Sequence, residues 1–472
     1  MKINSFKGFV ILFSCVCIAS ITIFQTFSRR SNEHKFDLNN VFNKPKGSFS
    51  PFFYHEEASY YDIKFNTGYN ARYNEDVVKE WKKFLNDKVK VETIKYFLLN
   101  DSAKTEIQEI HYNVDSKIEF KHIKRLQLND PMITDFFEFM YFAKEVEKSS
   151  VSSRYSWNYD QLIIPIVSNE IISQLIEKYK NSRDEFLKNR YWFQIIKAYF
   201  YSHRNNDLIM FFDKTKQFEP KNNLFYRAMS YIAGVYEQKK DFAKANYLYS
   251  VIFENCPNMR TMISNNFHPK NMVDFKQSLV FAKTTDEKCT LWALYGFRAD
   301  KKMAIAEIYK LNAKSPHIDY LLPKMIDEEE VRLNSLSITS PLLDKKQVKE
   351  NLDREIFSIV KFIANEEKTL QPYLWQMASG YLSLFDDDKS YAKYQFAKAK
   401  KNIPKNQKCY NELRALELLC EISEPKEKTF LSEKHISSEL NWLYSIKTSK
   451  EEQYGLKNIQ EYCMKYTNLL II

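Results

Sequence analysis

Residues 226–257 read YRAMSYIAGVYEQKKDFAKANYLYSVIFENCP. Tyr236 precedes Pro257 by 21 residues, and Ala245 stands twelve before that proline. Three other segments share the spacing. Tyr199 precedes Pro220 by 21 residues, Tyr295 precedes Pro316 by 21, and Tyr381 precedes Pro404 by 23. The position twelve before the proline holds Ala304 and Ala392 in two of them and Leu208 in the other. Proline is tolerated where a helix stops. Small residues let two helices approach closely, and large aromatics fill the groove beside them. One such match says little; four with shared spacing point to a recurring pair of helices.

The segment 226–257 resembles the tetratricopeptide repeat, a helix–turn–helix unit of about 34 residues. In that resemblance Ala233 is the small residue where the two helices cross and Tyr236 ends the first helix. Ala245 is the small residue of the second helix, Tyr249 its large partner and Pro257 the terminal proline. Residues 192–220 match at Trp192, Tyr199 and Pro220, and 291–316 at Tyr295, Ala304 and Pro316, with Trp292 where a small residue is expected. Residues 374–404 match at Leu374, Ala378, Tyr381, Ala392 and Pro404, with two extra residues assigned to the turn. Only the first two copies are adjacent. The resemblance implies an all-α, α-solenoid fold of antiparallel helix pairs.

Composition agrees. The 472 residues include only seven glycines and thirteen prolines, where average usage gives roughly 33 and 24. Glycine-fingered nucleotide sites and tight-turned β-sandwiches are thereby disfavoured. Abundant Phe and Tyr, 36 and 31, exclude a disordered chain. The net charge of +10 is concentrated at the start, since residues 1–50 carry seven bases against two acids. The body has no basic stripe, and no nucleic-acid partner is expected.

Residues 8–27, GFVILFSCVCIASITIFQTF, carry no charge. At 1.5 Å per residue they span about 30 Å, the hydrocarbon thickness of a bilayer. A transmembrane anchor explains the whole apolar length. A cleaved signal peptide, or a lipoprotein signal with Cys15 as the lipidated residue, is the alternative. The body is expected to be exported, in the periplasm or cell envelope. Five organised regions follow: the anchor or signal at 1–30, a polar tether and aromatic-rich segment at 31–73, and an N-terminal helical region at 74–181. The repeat-like units occupy 182–316, and a C-terminal helical region with a further unit at 372–404 fills 317–472. Asn74 is expected to cap a helix bearing Val77, Val78, Trp81, Phe84 and Leu85. Asp130-Pro131 should open another, Pro165 a third through Tyr179, and Ser182 with Glu185 forms an S-x-x-E capping box. The apolar tail at Leu469–Ile472 should dock on a further surface if the chain is not cut short there.

Chemistry is harder to find. None of the eight histidines has metal-ligand spacing, and no Cys/His pattern suits zinc. No metal, no cofactor and no catalytic residues are expected. Asp386–Asp388 reads as a solvated turn, and Cys256, Cys289, Cys409, Cys420 and Cys463 as buried free thiols. Tetratricopeptide repeats receive peptides on the inner face of the first helix. Carried onto the two adjacent copies, that face holds Arg190, Phe193, Lys197 and Tyr201, then Arg227, Ser230, Glu237 and Gln238. Arg190 and Arg227 share a repeat position, and paired guanidinium groups suit a carboxylate. The expected function is therefore a membrane-tethered scaffold or assembly factor binding a protein or peptide. The alternative is an exported glycan-binding lipoprotein similar in plan to the SusD-like proteins, with Trp375 and the aromatic segment as stacking platforms.

Overall fold

A computed structural model describes residues 73–112, 128–150, 166–336, 345–405, 407–423 and 430–445. These residues form 20 α-helices and one short 3-10 helix, with no strand among them. They fall into two compact units. One comprises the described residues of 55–325 together with 358–375, the other those of 326–357 and 376–472.

In the first unit the chain runs α1 (Asn74–Phe84), α2 (Val91–Leu99), α3 (Ala103–Tyr112), α4 (Pro131–Ser150), α5 (Asn169–Asn181), α6 (Glu185–Tyr201) and α7 (Asn205–Thr215). It continues through α8 (Asn223–Gln238), α9 (Phe242–Asn255), the 3-10 turn Pro257–Met259, α10 (Arg260–Asn266), α11 (Met272–Phe281), α12 (Thr285–Arg298) and α13 (Lys301–Leu311). Neighbours in sequence pack together: α1 on α2, α3 on α4, α5 on α6, α8 on α9 and α12 on α13. Helix α6 also packs on α4 and α8, and α9 on α11 and α12. The N-terminal part of this unit is cored by aromatics. Trp81 is almost fully buried, with the rings of Phe136, Phe139 and Phe186 at 5.0, 5.1 and 5.0 Å.

The four aligned segments are each a helix pair joined by a turn of two or three residues: α6/α7, α8/α9, α12/α13, and α17 (Pro372–Phe385) with α18 (Lys389–Asn402). The intervening helices are α14 (Pro316–Leu336), α15 (Lys345–Asn351) and α16 (Arg354–Glu366). Helices α19 (Gln407–Ile422) and α20 (Phe430–Ser445) follow, α19 packing on both α18 and α20. Three of the four turns are built alike. Their central residues, His203, Lys240 and Asp387, have φ of 57°, 63° and 59°. Each is bridged by the same backbone bond, at 2.9 Å: Arg204 N–H to Tyr199 O, Asp241 N–H to Tyr236 O, and Asp388 N–H to Ser383 O. This is the Schellman closure usually assigned to glycine, made here without one. Asp241, Asp300 and Asp388 then cap the second helices through their carboxylates, accepting from Lys244, Met303 and Tyr391 N–H.

Four residues after each cap position comes the small or aliphatic contact residue. Leu208, Ala245, Ala304 and Ala392 are all buried, as are Ala233 and Ala378 on the opposing helices. Where Trp292 displaces the expected small residue, Gly296 replaces it one turn later. A Cβ on Gly296 would lie 2.5 Å from that of Ala304, so only glycine allows the approach. The two extra residues of the fourth segment do not enlarge its turn: α17 runs four residues past Tyr381, whereas α6 and α8 stop two past Tyr199 and Tyr236.

Several local expectations need correction. Helix α1 begins at Asn74, but its cap position is Tyr73 and no side chain caps it. Ser182 and Glu185 form no capping box. Asp184 caps α6 by accepting from Leu187 N–H, and Ser182 ends α5. An aspartate directly before the helix outcompetes a serine two residues further out, because its carboxylate also favours the positive end of the helix dipole. Helix α5 starts at Asn169 behind a Ser168 cap, later than Pro165. Asp130 does cap α4, accepting from Met132 N–H at 3.0 Å. Residues 8–27, the aromatic segment up to residue 72, Cys15 and the tail 446–472 lie outside the described residues. No helix among the described residues is long and apolar enough to cross a membrane.

Candidate basic pocket

The inner faces of α6 and α8 meet α1, α2 and α4 around a pocket of about 200 Å³. Its apolar walls come from Val77 and Trp81 of α1, Leu98 and Leu99 of α2, Phe139 and Met140 of α4, Phe193 of α6 and Leu224 of α8. Tyr73, just before α1, completes them. Four basic side chains reach it, Lys144, Arg190, Lys197 and Arg227, against two carboxylates, Glu80 and Glu147.

The four cations have different partners. Arg190 is buried, donates from Nη2 to Glu80 Oε2 at 2.5 Å, and stacks 3.2 Å over the Phe186 ring. Burial lowers its pKa while Glu80 opposes that shift. Lys144, also buried, pairs with Glu147 at 2.8 Å and donates to Leu98 O at 3.4 Å. Arg227 lies between the rings of Tyr73 and Phe193, 4.4 and 4.7 Å from their centroids. Lys197 loses hydration in the pocket and faces Arg227. Those two causes, with Glu147 opposing, lower its pKa to about 8. Neither Arg227 nor Lys197 has a carboxylate within ion-pair distance among the described residues. Among the described residues the two acids form ion pairs with Arg190 and Lys144 and none with Lys197 or Arg227.

Of the residues expected on the binding face, Arg190, Phe193, Lys197 and Arg227 therefore line one pocket. Tyr201, Glu237 and Gln238 do not. Tyr201 packs edge-to-face against Phe200 and Tyr231 nearer the end of α6. Glu237 accepts from the Tyr249 hydroxyl of α9 at 3.0 Å, and Gln238 from Asn205 of α7 at 3.1 Å. These contacts tie the helix pairs together. Ser230 turns its hydroxyl back to the Arg227 carbonyl. The repeat spacing gave no sign of Tyr73, Glu80, Leu98, Lys144 or Glu147, because they belong to helices without the signature. Only the Lys144/Glu147 pair, three apart on one helix, left a local trace.

Elsewhere, Trp375 is fully buried and donates its indole N–H to Asp319 at 2.7 Å, so it offers no stacking face to a sugar. Cys256, Cys289, Cys409 and Cys420 are buried thiols, and Cys463 lies outside the described residues. No group of His, Cys, Asp and Glu suited to a metal ion occurs among the described residues. Asp386 accepts from Arg354 at 2.7 Å, and Asp388 is the α18 cap. Compared with known proteins, the chain matches no family model, no curated protein and no solved structure.

Proposed function

We propose that this chain is a membrane-tethered, tetratricopeptide-like protein that binds a protein or peptide partner, as a scaffold or assembly factor of the cell envelope. The observation that carries the reading is the convergence of α6 and α8, the first helices of two adjacent pairs. Both direct their inner-face residues into one pocket with two uncompensated cations. An acidic group of the partner would enter there and meet Arg227, whose planar guanidinium can hold a carboxylate in two hydrogen bonds. Arg190 would take no direct part, since Glu80 already holds it. The uncharged stretch 8–27 would be the tether, with the body exported. Capture of partners on the full chain tests the reading, with Arg227→Glu as the control; a partner set unaffected by the charge reversal would dispose of it.

A further inference from the structure

The pocket's chemistry is more specific than a binding face for acids. Lys197 and Arg227, the two cations without an ion pair among the described residues, are half-buried and not fully exposed. Arg227 is held between two aromatic rings, and Lys197 has lost enough hydration to shift its titration. Two like charges in such a place repel each other, and water screens them poorly. An anion between them would remove that repulsion and gain two charge-assisted bonds. Leu98, Leu99, Phe139 and Met140 offer an anion's body an apolar wall, while Asn74 and Gln194 add polar groups to the lining.

Size narrows the ligand. An enclosed cavity of about 150 Å³ lined by aliphatic and aromatic groups accepts benzene, and this half-open pocket of about 200 Å³ holds at least as much. The difference leaves room for one carboxylate on a single ring or a short chain. We propose that the pocket binds a small monocarboxylate with an apolar body, a single-ring aromatic or short-chain aliphatic acid, its carboxylate lying between Lys197 and Arg227. The inference uses the same pocket as the proposed function but needs no protein partner. Free acid and partner would compete for it.

Binding would be linked to protons. The charged or titratable groups facing Lys197 are Tyr73 and Glu80 from the α1 side, Lys144 and Glu147 from α4, Arg190 on its own helix and Arg227 from α8; α2 contributes only Leu98 and Leu99. Glu80 and Arg190 neutralise each other, as do Lys144 and Glu147. Lys197, whose pKa desolvation and Arg227 lower to about 8, is the group expected to change charge between pH 7 and 9. If the ammonium form is the one that binds, affinity falls about tenfold over that interval.

Calorimetric titration of the full chain with benzoate, hexanoate and benzamide tests this directly. Benzoate or hexanoate should bind one per chain, benzamide at least tenfold more weakly, and the acid about tenfold more weakly at pH 9 than at pH 7. Arg227→Gln should abolish binding while helical content, read by circular dichroism, is unchanged. Lys197→Arg keeps the charge without the titration, so it should still bind and should lose the pH dependence. Equal binding of benzoate and benzamide would overturn the proposal. So would binding of neither acid while a peptide ending in a free-carboxylate leucine does bind. Failure of the acids to bind would leave a positive partner-capture result standing, so the two readings fail separately.

Discussion

Arg190 and Arg227 occupy the same place in adjacent helix pairs, 37 residues apart, yet they do different work. Arg190 is held by Glu80 and the Phe186 ring, and its removal leaves a carboxylate without its partner. Because Glu80 is about half exposed, Arg190→Met should cost only roughly 1–2 kcal/mol, below the loss typical of a fully buried pair. Arg227→Met should cost less, since no carboxylate among the described residues depends on it, and urea midpoints of the two variants check the order. Asp319 makes a second claim at this scale. Burial raises its pKa to about 6 although Trp375 donates to it and opposes the shift. A carboxyl whose folded pKa exceeds its unfolded 3.8 binds more protons when folded. Its contribution to stability is therefore fully present below pH 4 and is lost as pH rises through 6. Asp319→Asn keeps the acceptor for Trp375 and should remove this pH dependence, roughly 2–3 kcal/mol between pH 4 and 7; unfolding curves at the two pH values measure it.

At the scale of elements, the recurring unit is the closed turn as much as the packed pair. His203, Lys240 and Asp387 adopt the left-handed conformation that glycine takes at no steric cost. Lys240→Gly should therefore raise stability by up to about 1 kcal/mol, whereas Gly296→Ala should lower it by roughly 1–3 kcal/mol through overpacking against Ala304. Ala304→Gly in the same chain should recover part of that loss, as thermal denaturation of the three variants would show. The helix pairs were legible in the sequence because proline and small residues mark events that every copy needs, a stop and a close approach. Asp241, Asp300 and Asp388, four residues before each alanine, were an equally regular signal that the aromatic–proline spacing passed over. Cap positions misjudged at Asn74 and Ser182 depend on which neighbouring side chain reaches the free N–H groups, and spacing alone does not decide that.

For the whole molecule, the pocket was only half legible. Repeat register placed Arg190, Phe193, Lys197 and Arg227 on one face, and these four do converge. Register could not supply Glu80, 110 residues before Arg190, or Glu147, which pairs with Lys144 and lies 50 residues before Lys197. Those acids decide that Arg190 and Lys144 are compensated while Lys197 and Arg227 are not. The same register also put Glu237 and Gln238 on the face, because it ignored their bonds to Tyr249 and Asn205. The central proposal is that two adjacent helix pairs present to a partner a basic pocket in which Lys197 and Arg227 have no ion pair among the described residues. The most direct measurement is quantitative capture on the full chain, comparing wild type with Arg227→Glu at matched helical content. The account predicts at least one protein retained by the wild type and lost from the variant. Identical sets retained by both would contradict it.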